Sequence, residues 1–357
     1  MSGEPLIHNR NNPVTDGVDR VGIATADGRP LTAVRKVLRG DGDVVVPHWT
    51  TADDPDHWNY WRREDLAYTS GVVDAFVVDG LRGPHLLDRV ARDDGSIELW
   101  LEDVRGRPGH TWEVVDHARC FGRLGAAQGR LGAGPTPTDG WLSRRWLRSY
   151  SSSRPPGPAI LDDDEAWDHP VVVEGFGSRR GAIRAGFRRL WADHDRWFGV
   201  VESLPQTLCH LDCWPRNLIA ADDGTDVLVD WSFVGIGAVG EDPGNNVPDT
   251  FLDHFLEPDR FDDLDDAVWT AYAGGLSSAG WPHPIDTARL GMVAAGVAKY
   301  LWLPGLMVGN VDLATPTAYG GQDGYPLVEV FRRRAKVFEG LLRWADEARA
   351  RCANLGP

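Results

Sequence analysis

His210, Asp212 and Asn217 stand in one short stretch, His210-Leu211-Asp212-Cys213-Trp214-Pro215-Arg216-Asn217. A turn and an apolar run, Val227-Leu228-Val229, follow, and the run ends on Asp230. The order reads as loop, short strand, turn, short strand, acid. A carboxylate that can orient a hydroxyl, beside an amide and a second carboxylate that can hold a hard cation, is what phosphoryl transfer requires. That chemistry rests on positioning and charge neutralisation, so few residues carry it and each must be fixed. The spacing H-x-D-x-x-x-x-N alone is weak, and the strand ending in Asp makes it specific. The plainer alternative is a surface loop whose Asp and Asn cap turns.

The stretch resembles the catalytic core of the aminoglycoside phosphotransferase family, a branch of the protein-kinase-like fold. The family's loop runs H-G-D-x-x-x-x-N and is followed a hairpin later by Asp and an aromatic or apolar residue. Here these are His210, Asp212, Asn217 and Asp230-Trp231, with Leu211 in place of the usual glycine. The resemblance implies that Asp212 is the catalytic base, that Asn217 and Asp230 hold magnesium, and that His210 braces the loop. It implies an α+β, bilobal protein-kinase-like fold: a small β-rich N-terminal lobe, residues 1–104, ending in the hinge, and a larger, mostly helical lobe, residues 105–357. The donor would be ATP, with GTP as the alternative, and the partner a small molecule bearing a hydroxyl. The family points to an antibiotic-inactivating kinase. A metabolic kinase of an amino sugar, choline or another amino alcohol is one alternative, and a catalytically idle nucleotide-binding protein is another. No A-P-E-like motif is present, which disfavours a protein kinase.

These residues need elements to position them. Residues 16–25 and 31–38 are β-type runs around Asp27-Gly28-Arg29-Pro30, which predicts a hairpin. Lys36 lies in the second run, with Val34 and Leu38 on its face. It is either an exposed strand lysine or, as the resemblance implies, the cation that neutralises the donor's phosphates. Such a lysine needs a carboxylate on the next helix. Residues 57–68 read as amphipathic, with Glu64 the candidate and Asp65 its competitor. The glycine-rich phosphate loop is degenerate, with Gly17 and Gly22 as weak candidates. Residues 72–78 and 96–104 predict strands, and the second resembles the last strand of the small lobe and the hinge. Glu102, Asp103 and Val104 are then the positional candidates for adenine recognition.

Farther on, residues 112–131, 179–197, 289–308 and 327–350 predict helices. Gly235-Ile236-Gly237-Ala238-Val239-Gly240 matches G-x-G-x-x-G, but Glu241-Asp242-Pro243-Gly244 after it reads as a turn, so a dinucleotide fingerprint is not supported. The resemblance places a loop-tethering aspartate at Asp242, against the alternative of an Asp-Pro turn. The acids from Asp249 to Asp266 could face an amino-bearing acceptor, and the plainer reading is solvated surface and helix starts.

The 357 residues can bury a large core. The net charge of −16 argues against general nucleic-acid binding. Four cysteines, without a C-x-x-C pair, suit a reducing cytoplasm. The polar first residues predict no signal peptide, and no run appears apolar enough to span a membrane. Oligomeric state is not readable.

Overall fold

The computed structural model describes residues 3–24, 30–154, 157–312 and 324–354. Its architecture is the bilobal, protein-kinase-like one, a β-rich N-terminal part followed by a mostly helical part. In chain order the first strands are β1 (Glu4–Pro5), β2 (Thr15–Ala24), β3 (Pro30–Leu38), β4 (Leu81–Arg82), β5 (Leu86–Ala91) and β6 (Ile97–Glu102). All but β4 form one sheet in the order β1-β2-β3-β6-β5. The expected hairpin is β2–β3, with Val18 opposite Lys36, and its turn at residues 25–29 lies outside the described residues. Lys36 also pairs with Leu99 on β6, so its strand is held from both sides.

The later strands are β7 (Gly106–Pro108), β8 (Ser143–Arg144), β9 (Gln206–Cys209), β10 (Leu218–Ala221), β11 (Asp226–Leu228) and β12 (Gly235–Ala238). β10 and β11 form the hairpin read from the sequence, with Leu218 opposite Leu228. β4 pairs with β11, and β7 pairs with β10. Strands from before and after residues 102–104 thus clamp the hairpin that carries Asn217 at one end and leads to Asp230 at the other.

Four local expectations change. The helix foreseen from residue 57 starts only at Arg63 (Arg63–Thr69); residues 57–62 are turns, with an isolated bridge between Ala52 and Tyr60. The buried Arg63 guanidinium explains that path. It donates to the carbonyls of Pro55, His57, Trp58 and Trp141, and no helix could present those oxygens to one side chain. Residues 72–78, expected as a strand, include the helix Val72–Ala75, in which Val72 and Val73 are buried: tertiary packing overrides β-branched propensity. The 179–197 segment is two helices, Arg180–Ala192 and His194–Ser203. The last correction concerns length and apolarity. Ile285–Gly309, containing the helices Ile285–Tyr300 and Leu303–Gly309, is apolar enough to cross a membrane by composition. It is a core segment: 94% of its most apolar 18-residue window is buried against the protein's own elements.

The buried side chains form one continuous core across both lobes. An aromatic node joins them: Trp58 meets Tyr150 edge-on at 5.6 Å, and Tyr150 stacks on Trp146 at 4.6 Å. Ring pairs of this kind contribute about 0.5–1.5 kcal/mol each beyond area burial.

Candidate active site

The loop that carries Asp212 is fixed from beneath. Asp242, fully buried, accepts the backbone N–H of Leu211 at 2.7 Å and of His210 at 3.1 Å. Gln128 Nε2 donates to the same carboxylate at 2.7 Å. Burial pushes Asp242 up to about 6, and these donors pull against that rise. Asp242 lies in the helix Glu241–Leu252, so the Asp-Pro turn alternative fails. His210 is the second brace. Burial lowers its pKa to about 4, so the ring is neutral. Its Nδ1 accepts the Asp212 N–H at 3.3 Å, which leaves Nε2–H to donate to the Val229 carbonyl at 3.1 Å.

Leu211 has φ +65°, a left-handed backbone that explains why glycine is usual there. Its side chain is 1% exposed and fits because residue 237 is glycine: a Cβ there would lie 2.8 Å from Leu211 Cδ2. Strain and packing therefore oppose each other at this position. Leu211→Ala keeps the strain and loses the packing, and is expected to cost about 2–4 kcal/mol in urea unfolding. Leu211→Gly should recover about 1 kcal/mol of that loss.

The same contact disposes of the G-x-G-x-x-G motif. A helix does open after it, at Glu241, contrary to the turn expected there. Its glycines serve close packing instead: Gly240, at φ 94°, would place a Cβ 2.2 Å from the Ala288 carbonyl oxygen. Residues 231–250 are all buried, and Gly235 likewise would place a Cβ 2.1 Å from the Ser143 carbonyl oxygen.

Above the loop the polar groups converge. Asn217 Nδ2 donates to Asp212 Oδ2 at 2.9 Å and to the Asp212 carbonyl at 3.0 Å. No donor among the described residues meets Asn217 Oδ1, which leaves it free to ligate a cation. Asp230 follows the hairpin with φ +62°, and its Oδ1 accepts from Lys36 Nζ at 2.9 Å and from Ser232 Oγ at 2.5 Å. Lys36 Nζ also contacts Glu64 Oε2 at 2.6 Å. The Glu64–Asp65 competition is settled by helical direction: Asp65 faces the other way and pairs with Arg89 at 2.5 Å. Burial would discharge Lys36, but Asp230 and Glu64 outweigh it and hold the ammonium charged above its usual range. Burial likewise works against Asp230, yet Lys36 and Ser232 keep it below the usual carboxylate value. Gly17 and Gly22, by contrast, are ladder residues of β2 opposite Val37 and Thr32 and form no loop.

Lys36, Glu64, Asp212, Asn217 and Asp230 line one cleft of about 580 Å³. Glu102 and Val104 line it too, at the end of β6. The Glu102 carboxylate is engaged by Arg82 at 2.6 Å and by the His85 N–H at 3.1 Å. Among the described residues no group of three or more His, Cys, Asp or Glu side chains could cage a metal. One amide oxygen and one carboxylate are the hard oxygen donors that would suit a magnesium ion whose other ligands come from outside the protein.

Sequence reasoning missed part of the opposite wall, where Tyr150, Trp214, Phe233 and Asp249 line the cleft. Asp249 is fully buried and its Oδ1 has no hydrogen-bond partner. Lys299 Nζ lies 3.7 Å from its Oδ2. The signal was available: Lys299 is one of two cations, with Arg289, in the otherwise apolar helix Ile285–Tyr300. The surface reading of the acids also fails for Asp253, whose Oδ2 accepts from Trp214 Nε1 at 2.7 Å, and for Asp265, paired with Arg289 at 2.5 Å. It stands for Asp259 and Asp262, which are exposed.

A two-lobed fold with a lysine–carboxylate pair above a braced H-x-D-x-x-x-x-N loop defines a kinase-like class. Residues 73–282 match the model of the phosphotransferase enzyme family (APH), and the chain belongs to that family. No curated protein sequence matches it. Among solved structures, the amicoumacin kinase hAmiN, in complex with AMP-PNP, Ca2+ and Ami, is 10% identical over 95% of this chain and 88% of its own, with a TM-score of 0.51. An aminoglycoside phosphotransferase from Alicyclobacillus acidocaldarius is 12% identical over 98% of each chain, with a TM-score of 0.49. A choline kinase, LicA, from Streptococcus pneumoniae is 10% identical over 95% and 94%, with a TM-score of 0.44. The first of these is a likeness of fold alone.

Proposed function

We propose that the protein transfers the terminal phosphoryl group of ATP to a hydroxyl of a small molecule in a magnesium-dependent reaction. The observation that carries this reading is the convergence of Lys36, Asp230, Asn217 and Asp212 on one cleft, across 194 residues between the first pair. Lys36, held by Glu64, pairs with the donor's phosphates. Asn217 Oδ1 and Asp230 would hold magnesium, which when bound neutralises charge on the phosphate oxygens. Asp212 accepts the acceptor's hydroxyl proton and aligns that oxygen with the terminal phosphorus. The backbone at Glu102–Val104 receives the adenine.

A small acceptor is favoured over a protein because only ten residues separate Asp230 from the helix Glu241–Leu252, which leaves no room for an activation segment. The buried, unpartnered Asp249 Oδ1 beside aromatic rings suits an acceptor that carries an amine near its hydroxyl. An antibiotic acceptor is the reading supported by family membership and by the amicoumacin kinase among the fold relatives. The four free thiols, three of them buried, fit a reducing cytoplasm.

Calorimetric titration with AMP-PNP, with and without Mg2+, tests the donor half of the proposal. Tight binding that depends on Mg2+ is expected. ADP release should then be followed against aminoglycosides, nucleoside and peptide antibiotics, and amino alcohols. A phosphomonoester product is expected from at least one of them, and failure to bind nucleotide with Mg2+ would falsify the proposal.

A further inference from the structure

We propose that residues 6–14, between β1 and β2, form the strap over the donor's phosphates, and that the Arg10 guanidinium supplies the positive charge there. This rests on the phosphotransferase reading above and adds a donor-binding residue to it.

The strap is placed by the sheet. β1 pairs with β2 through Glu4 opposite Arg20, and the Leu6 N–H donates to the Val18 carbonyl at 2.8 Å. At its other end Asn12 Oδ1 accepts from the Val14 N–H at 3.1 Å and from Asn59 Nδ2 at 3.0 Å. Between these anchors the segment lines the same cleft as Lys36, Asn217 and Asp230.

Its chemistry differs from that of a glycine loop. Residues 6–14 contain no glycine, and Pro13 has no N–H. The N–H groups of Asn11, Asn12, Val14 and Thr15 are already engaged within the segment, by Asn9 and Asn12. A cradle of backbone amides is therefore not on offer along most of the strap, and the phosphates must be met by side chains. Arg10 is exposed on the cleft wall and makes no hydrogen bond or ion pair with a described residue. Arg20 is not an alternative, because Asp103 and Glu4 hold it.

Charge balance points the same way. Glu64, Asp212, Asp230 and Asp249 line the cleft; of its other cations, Lys36 is paired with Glu64 and Asp230, Arg20 with Asp103 and Glu4, and Arg216 packs over the Trp214 and Phe255 rings. A triphosphate brings roughly four negative charges and one divalent cation returns two, so a further cation is needed near the terminal phosphates. A guanidinium supplies it in a forked geometry that matches phosphate oxygens.

The test compares wild type with Arg10→Gln and Arg10→Lys in calorimetric titrations with AMP, ADP and AMP-PNP, all with Mg2+. Arg10→Gln should weaken AMP-PNP by about tenfold or more, ADP less, and AMP not at all. Arg10→Lys should recover part of the AMP-PNP affinity, and thermal unfolding should be unchanged in both. Equal AMP-PNP affinity in wild type and Arg10→Gln overturns the proposal. So does an equal loss for AMP, which would mark a general disturbance of the cleft. Absence of AMP-PNP binding by wild type overturns the phosphotransferase reading itself, and this assignment with it.

Discussion

Replacing Asp212 by Asn will lower turnover by about a thousandfold while AMP-PNP affinity stays within about twofold. Asn217 Nδ2 can still donate to a side-chain oxygen at position 212, as it does now at 2.9 Å, so the loop geometry survives. Only the capacity to take a proton is lost. The two halves of the result must be read together. If turnover falls and nucleotide binding falls equally, Asp212 belongs to the donor site and the assignment of a base is wrong. If turnover persists, the base lies elsewhere.

The same residue sets a pH dependence. Burial raises Asp212 to about 7, Lys299 pulls it down, and Asp230 and Asp249 push it up. A base must be ionised, so kcat/KM should rise with pH through an apparent pKa near 7 and level off above it. The sign of the Asp249 contribution gives a further check. Removing that negative charge in Asp249→Asn makes ionisation of Asp212 easier, so the acid limb should move to lower pH. Neutralising Lys299 should move it the other way. A limb that moves the same way in both variants would show that a different group titrates.

Why the catalytic stretch could be read while other parts could not follows from where the information lies. His210, Asp212, Asn217 and Asp230 fall within 21 residues, on one loop and at the two ends of the hairpin after it, so the loop spacing together with the strand ending in Asp marks them. Strand alternation left Lys36 open between an exposed lysine and a phosphate-facing one, and the resemblance pointed to the second, with Glu64 on the next helix as its partner. The final choice between Glu64 and Asp65 needed the direction of the helix, which depends on where Arg63 anchors it. The hidden features are tertiary. Asp249 looked like its exposed acidic neighbours because its burial is set by the distant helix Ile285–Tyr300. The strap at 6–14 has no glycine and thus no compositional mark, and only the pairing of β1 with β2 places it over the cleft. Gly17 and Gly22 misled because glycine in a strand was read as a loop signal. The helix after Gly240 was missed because Pro243 and Gly244 are breakers in isolation, whereas Pro243 sits in the first helical turn, where a missing N–H is harmless.

Asp230→Asn should show the other large effect: turnover lower by about a thousandfold, and nucleotide affinity that no longer responds to millimolar Mg2+. The substitution is chosen for its backbone. Position 230 has φ +62°, a conformation that Asn tolerates as well as Asp and that Ala does not, so strain is held constant. Lys36 loses one of its two carboxylate partners but keeps Glu64 at 2.6 Å, and the buried ammonium is not left alone. Stability should therefore fall by far less than the roughly 3–5 kcal/mol that follows when a buried ion pair loses its only partner. Glu64→Gln supplies the contrast. It removes the partner that positions Lys36 but leaves the cation-holding carboxylate, so affinity for nucleotide should drop while its dependence on Mg2+ remains. The two variants act on one lysine from opposite sides, and the Mg2+ dependence separates them. If Asp230→Asn keeps a normal Mg2+ response, Asp230 serves only as a counter-ion to Lys36, and Asn217 must find its fellow ligand elsewhere in the cleft.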